Sequence, residues 1–329
     1  MKHKPVKIGV IGVGHLGQHH VKHYNNLQDA NLIGIFDTNK KRAKEISNKY
    51  NVKYFKKINL LLKEVEAISI VTTTKYHSEI AELCIKNNIH AFIEKPITAT
   101  LEEADRILVM AKEKKVVIQV GHIERLNPAL LALEPYLIKP KFIEIQRLAP
   151  YTSRGTDVPV VLDKMIHDID IVLSLVNSTI KNIQATGLSI LTDSIDIAHA
   201  RLCFNNGTVA SIMSSRIAKN EVRKLKLFEK DLYATIDLLL GITEIYKTSN
   251  KKNESNKSIV TIPFDYKNKK IYITYDKPSL VQDDPLYMEL KNFLKSVQGL
   301  QEPIVSGKEG RNALDIAIQI QQMIIKDMN

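Results

Sequence analysis

The feature that most constrains this chain lies near its start, where the β-branched run Lys7–Ile11 leads directly into Gly12-Val13-Gly14-His15-Leu16-Gly17. A G-x-G-x-x-G at a strand-to-helix turn is compatible with few folds. Its glycines permit a tight turn, let backbone approach a pyrophosphate, and let the next helix pack close to its sheet. The helix N-terminus then offers N–H groups to phosphate oxygens. On its own the pattern also describes a glycine-rich turn without a ligand. Here Asp37 follows about 20 residues later, after a second strand-like run, Leu32–Phe36, which is where a carboxylate accepts hydrogen bonds from ribose hydroxyls.

The rhythm that follows predicts the fold. From Val6 to about Val120, strand-like runs (Lys7–Ile11, Leu32–Phe36, Ala67–Val71, Ala91–Ile93, Val116–Val120) alternate with helical periods such as Ser78–Asn87 and Leu101–Lys114. Thr100 and Glu103 form a capping-box signal for the latter helix. This is the pattern of an α/β Rossmann domain, a doubly wound parallel sheet, assigned to residues 1–122. After Gly121 the spacing shortens. Phe142–Leu148, Ile183–Leu191, Ala198–Phe204, Thr208–Ser214, Lys224–Phe228, Ala234–Leu240, Ser258–Pro263 and Lys270–Tyr275 read as strands, with Asn206-Gly207 as a hairpin turn and Thr248–Lys257 as a polar hairpin tip. Residues 123–329 therefore predict an α+β domain with a large, mostly antiparallel open sheet and two closing helices near 285–298 and 311–325.

The expected dinucleotide contacts are Gly12, Gly14, His15, Leu16, Gly17 and Asp37, and the expected cofactor is NAD, because Asp37 repels the 2′-phosphate of NADP. Lys40, Lys41 and Arg42 follow closely; they either neutralise such a phosphate or form a solvated helix start.

Composition excludes several classes. The net charge of +11 raises the question of a polyanionic partner, but only nine of the 47 basic residues are Arg, and the lysines are scattered among Asn and Ile with no basic helix or zinc pattern. No nucleic acid and no membrane are expected as partners, since no segment approaches the roughly 20 apolar residues of a span. The N-terminus carries lysines but no cleavage-site pattern, which predicts a cytoplasmic protein. Cys84 and Cys203 lie in apolar segments without metal-ligand spacing, so two buried thiols and no metal are expected.

Two further segments carry chemistry. Glu94-Lys95-Pro96 follows a strand at the carboxyl edge, where a lysine can hydrogen-bond a substrate hydroxyl and stabilise negative charge on oxygen. It reads equally as a surface lysine capping a strand. The segment Val160–Leu173 reads as one largely buried helix, with Asp163 and His167 four apart on one face, Asp170 extending that stripe, and Leu162, Met165, Ile169 and Val172 opposite. A carboxylate beside an imidazole there is either a proton-transfer pair or a structural one.

In this order and at these separations, Gly12–Gly17, Glu94-Lys95-Pro96 and Asp163-x-x-x-His167 resemble the glucose-fructose oxidoreductase/inositol dehydrogenase (Gfo/Idh/MocA) family over nearly the whole chain. The resemblance implies a catalytic Lys95 with an active-site pair Asp163 and His167. It also implies an open second-domain sheet that often makes oligomer contacts. Independently, a sheet with helices on one side leaves an apolar face such as Ile212 and Leu227 needing cover, which predicts a homodimer or homotetramer. Thr72-Thr73-Thr74-Lys75-Tyr76-His77 corresponds to the segment under the nicotinamide ribose, adding Thr72, Thr73, His77, Glu94 and Lys95 to the cofactor contacts; the family's Pro and Asn are missing from it.

Within the family, Gly121–Pro128, Arg147–Tyr151 with Arg154, and Met165–Asp170 are similar to a narrower group, the UDP-N-acetylglucosamine 3-dehydrogenases. That implies oxidation of a nucleotide sugar at C3 for amino-sugar lipid A biosynthesis. The small-molecule substrate would be held by Arg125, Asn127, Arg147, Arg154, Asp163, His167 and Arg216, with Arg147, Arg154 and Arg216 serving a diphosphate or else surface salt bridges. His167 is then the expected base, oriented by Asp163, with Lys95 hydrogen-bonded to the same oxygen or exchanging roles with His167. The alternatives are a dehydrogenase of a UDP-sugar uronate or an inositol, and, in a different class, a nonenzymatic NAD-binding regulator.

Overall fold

Strands buried on both faces need apolar residues at every position, and the first strands supply them: Ile8, Val10, Ile35, Ile68, Ile70 and Phe92 are fully buried. The computed structural model describes residues 4–152, 158–250, 260–266, 269–280 and 283–328. It divides into two compact units, Met1–Leu126 with Asp283–Asp315, and Asn127–Gln282 with Ile316–Asn329.

In the first unit the chain runs β1 (Val6–Ile11), α1 (Gly17–Asn26), β2 (Ala30–Phe36), α2 (Lys40–Tyr50), α3 (Ile58–Leu62), β3 (Ala67–Ile70), α4 (His77–Lys86), β4 (His90–Glu94), α5 (Leu101–Lys114) and β5 (Ile118–Gly121). The five strands form a parallel sheet in the order β2-β1-β3-β4-β5. Strand order reverses beside β1, between β2 and β3, so the switch-point crevice opens at the carboxyl ends of those strands. The capping box forms as expected: Glu103 N–H donates to Thr100 Oγ1 at 3.3 Å and Thr100 N–H to Glu103 Oε2 at 3.2 Å.

The second unit contains α6 (Pro128–Leu131), β6 (Phe142–Leu148), α7 (Ile166–Leu175) and β7 (Ile180–Leu188). The strands β8 (Ile197–Phe204), β9 (Val209–Ser215), β10 (Val222–Glu229), β11 (Leu232–Asp237), β12 (Ile242–Ser249), β13 (Val260–Tyr266) and β14 (Lys269–Asp276) complete it. Its nine-stranded sheet, ordered β13-β14-β12-β11-β10-β6-β9-β8-β7, is antiparallel except for the β6–β9 pair. Strand β12 is additional to the predicted strands, although Ile-Thr-Glu-Ile-Tyr-Lys-Thr-Ser alternates as a strand should and follows a turn at Gly241, φ 65°. At the Asn206-Gly207 turn only Gly207 takes a positive φ, 82°. Most of the expected hairpin tip, residues 251–257, lies outside the described residues.

Three expectations are corrected. Helix α8 (Pro285–Val297) belongs to the first unit and not to the second domain, because Leu286, Leu290, Phe293 and Leu294 enter the same core as Val10, Val21 and Phe92. Helix α9 (Gly307–Met328) contributes residues to both units. Ile212 and Leu227 are not on an open face: they are fully buried on the face shared by Ile143, Ile145, Leu225 and Ile236, where α7 packs against β6 and β9. The other face instead carries a ladder of register partners, Phe142, Phe228, Tyr233, Tyr246 and Tyr275, with adjacent ring centroids 4.9–5.8 Å apart. Finally, Cys84 is buried, which pushes its thiol up to about 12, but Cys203 is only half-buried and accepts from Arg201 at 3.2 Å. No helix among the described residues is long and apolar enough to cross a membrane, and no cluster of potential metal ligands occurs among them.

Candidate active site

The glycine loop has the shape its motif demands. Gly12 adopts φ 86°, and a Cβ there would stand 2.5 Å from the Val71 carbonyl oxygen; a Cβ on Gly17 would collide with the Gly12 carbonyl. Gly14 borders open space, where a Cβ would meet no atom within 4 Å. The N-cap position of α1 is Leu16, which has no side-chain acceptor, so no side chain caps the helix where it meets the glycine loop, although Gln18 N–H donates to Gly14 O at 3.3 Å and His19 N–H to Leu16 O at 2.9 Å. Gly12, Gly14, Asp37, Thr38, Thr72, Thr73 and Tyr76 line one cleft of about 730 Å³, within the ~300–1,000 Å³ usual for small-molecule sites. His15 and Leu16 are exposed beside it on the loop.

Asp37 is pinned to this loop. Val13 N–H donates to Oδ2 at 2.8 Å and Asn39 N–H to Oδ1 at 2.7 Å, leaving each oxygen a further lone pair for a ribose hydroxyl. Arg42 has a different place from the phosphate-neutralising one considered for it. Its Nε donates to Val13 O at 2.9 Å, one terminal nitrogen donates to Gly14 O at 3.2 Å, and the other to Glu45 at 2.7 Å. The guanidinium thereby draws the loop carbonyls to one side. An Arg one turn into the helix after an acidic strand end is the only sequence signal for this bracing.

The Lys95-Pro96 peptide is cis, and Lys95 is half-buried at the end of β4. The side chains expected to touch cofactor on either side of it are instead turned inward. Glu94 is buried, its Oε1 3.0 Å from Nε2 of His20. His77 is buried too, with Nδ1 2.9 Å from Pro96 O and Nε2 3.1 Å from Thr72 O. Burial holds the His77 imidazole below its usual pKa, against the opposing pull of those two carbonyls. Its effect on the cleft therefore runs through Thr72 and Pro96.

In the second unit the expected continuous helix opens with a π-helical turn, Val161–Met165, before α7 begins. This widens the register around Asp163, which lies 3.6 Å from Lys164 Nζ, while His167 stands in the first turn of α7. π-turns recur at functional sites because they re-aim side chains within a helix. Asp168 is fully buried under Arg147, whose Nε lies 3.0 Å from both carboxylate oxygens and whose terminal nitrogen lies 2.8 Å from Oδ1.

The arginines expected to bind a diphosphate are thus largely committed inside the protein. Arg147 serves Asp168. Arg216, buried, lies 3.6 Å from Asp196 and donates to the carbonyls of Val158 and Ile195. Arg125 belongs to the first unit, 3.3 Å from Glu309. Asn127 caps α6 by accepting from Ala129 N–H at 3.0 Å, and donates to Leu238 O at 2.9 Å. Arg154 lies outside the described residues.

A parallel doubly wound sheet with an uncapped glycine-loop helix, an acidic residue at the end of β2 and a lysine at the end of β4 defines an NAD-binding oxidoreductase. Residues 6–122 match the family model described as "Oxidoreductase family, NAD-binding Rossmann fold" (GFO_IDH_MocA). The chain is 34% identical over 317 residues to the UDP-N-acetylglucosamine 3-dehydrogenase of Acidithiobacillus ferrooxidans, covering 96% of each protein. It is 26% identical to the myo-inositol 2-dehydrogenase of Thermotoga maritima, over 94% of this chain and 93% of that one. A solved structure of the Acidithiobacillus enzyme superposes with a TM-score of 0.88 at 33% identity, covering 98% of both chains. The chain belongs to the Gfo/Idh/MocA oxidoreductase family. It is an NAD-dependent dehydrogenase acting on a CH–OH group.

Proposed function

We propose that this enzyme oxidises the C3 hydroxyl of UDP-N-acetylglucosamine to the 3-keto nucleotide sugar, in the cytoplasm, as a step toward an amino-sugar lipid A. The observation that carries this reading is the near full-length similarity to an enzyme named for that reaction, at a higher identity than to the inositol dehydrogenase. The loop Gly12–Gly17 and Asp37 would hold the pyrophosphate and adenosine ribose of NAD, with Thr72 and Thr73 further along the same cleft. NAD, when bound, accepts the hydride. His167 takes the hydroxyl proton in this reading, aided by Asp163, and the Lys95 ammonium stabilises the oxygen as charge develops.

The decisive assay follows NAD reduction with a panel of nucleotide sugars, free sugars and inositols, with a carbonyl trap because alcohol oxidation by NAD is uphill near neutral pH. UDP-N-acetylglucosamine is expected to give the highest kcat/KM. Clear turnover of a free inositol with none of the nucleotide sugar would transfer the assignment to a polyol dehydrogenase.

The protein is also proposed to be a homo-oligomer that covers the aromatic ladder of the second unit. Phe142 and Phe228 are 40% and 36% exposed there, and contiguous apolar faces of this kind are normally covered by a partner surface. Light scattering at micromolar concentration is expected to report a dimer or tetramer; a strictly monomeric mass would refute the oligomer.

A further inference from the structure

The residues on both sides of Lys95 are held by buried histidines. On one side the Glu94 carboxylate lies 3.0 Å from Nε2 of His20, which is fully buried in α1. The other ring nitrogen of His20 lies 3.4 Å from Ser69 Oγ, and Ser69 Oγ lies 2.8 Å from the Tyr24 hydroxyl. The carboxylate also rests over Gly121, the register partner of Glu94, where any Cβ would come within 3.0 Å of it. On the other side His77 holds the Pro96 carbonyl.

A buried carboxylate is costly unless it is hydrogen-bonded or paired, and nothing in a parallel sheet requires an acid at the end of β4. Its setting is mechanical. The His20–Glu94 bond joins α1, the helix that follows the phosphate loop, to the backbone from which Lys95 projects. We propose that His20 is a positioning residue that acts through Glu94 to keep Lys95 aimed, an inference that rests on Lys95 acting in the hydride-transfer step. His20 is fully buried and does not line the cofactor cleft, so it acts through the groups it holds, of which Glu94 is the neighbour of Lys95.

A purely space-filling role is the competing account, since the His20 ring also packs edge-on against Phe92 with centroids 5.5 Å apart. The two accounts part over substitutions that keep the volume. His20→Met fills the space without a hydrogen bond, whereas His20→Gln can still donate an amide N–H to Glu94. Misplacing a reacting group by a fraction of an ångström to an ångström lowers rate far more than it lowers affinity, so His20→Met should reduce kcat by roughly ten- to hundredfold while NAD affinity changes little, with a lower melting temperature because buried Glu94 loses its partner. His20→Gln should recover most of that loss. Wild-type kcat in His20→Met would overturn the proposal. So would equal impairment of kcat in the Met and Gln variants, which is the outcome of a packing role. Lys95→Ala, measured alongside, separates the two levels: full activity there removes the reading on which the inference rests, whereas loss of activity there with a normal His20→Met removes only the inference.

Discussion

Lys95→Ala and His167→Ala are each expected to lower kcat by roughly two to four orders of magnitude, the range for losing an acid–base group, while NAD still binds. The expectation for Lys95 follows from its setting. It ends a strand on the sheet edge where ligands of this fold bind, between two residues whose own groups are tied down by His20 and His77. An ammonium held this way supplies charge to a developing alkoxide without reorganising at the moment of reaction. His167 occupies the first turn of α7, directly after the π-helical turn. Asp163→Asn should act more mildly, by weakening the orientation of the imidazole. Steady-state kinetics at saturating NAD, with NAD binding measured separately by calorimetry, distinguish loss of chemistry from loss of cofactor. Near-normal turnover in both alanine variants would remove these residues from the mechanism.

Arg147→Ala is expected to destabilise the enzyme by about 3–5 kcal/mol, the usual result of removing one partner from a buried ion pair. The side chains of Arg147 and Asp168 are 7% and 1% exposed, so truncation would strand a carboxylate with almost no water to solvate it. The pair fastens α7 to β6 one residue after His167. Arg147→Lys should recover little, because one ammonium cannot reproduce the forked contact of Nε and the terminal nitrogen. Replacing both members together, as in Arg147→Met with Asp168→Leu, should restore much of the stability, since the penalty lies in the unpaired charge and not in the absent bridge. Urea unfolding midpoints check this. An Arg147→Ala variant as stable as the parent would show that Asp168 relaxes into another partner or takes up a proton at little cost.

The boundary between what could be read from the chain and what could not is clear at particular residues. The glycine turn, Asp37 at the end of β2, the Thr100–Glu103 capping box and the strand β6 were all legible, as was the order of lysine, aspartate and histidine that carries the family resemblance. The turn, the capping box and the strand depend on residues within a few positions of one another, where backbone sterics and side-chain period act directly, whereas the order of lysine, aspartate and histidine was legible through the family resemblance. The arginines went the other way. Arg147 and Arg216 looked like ligands for a diphosphate because charge is visible in a sequence, whereas the buried acids that claim them, Asp168 and Asp196, sit about 20 residues off along the chain.

By itself, then, the sequence determined the class of fold and the phosphate loop, since these follow from local spacing, and the candidate chemistry through the resemblance its motifs carry. Only the tertiary structure decided that Glu94 turns inward to His20, that Arg42 braces the loop carbonyls, and that α8 returns to the first unit's core. It also decided that the aromatic ladder, and not Ile212 and Leu227, is the exposed face of the large sheet. A strand's alternation separates its two faces without saying which one the helices will cover, and a buried charge reveals its partner only when distant segments meet.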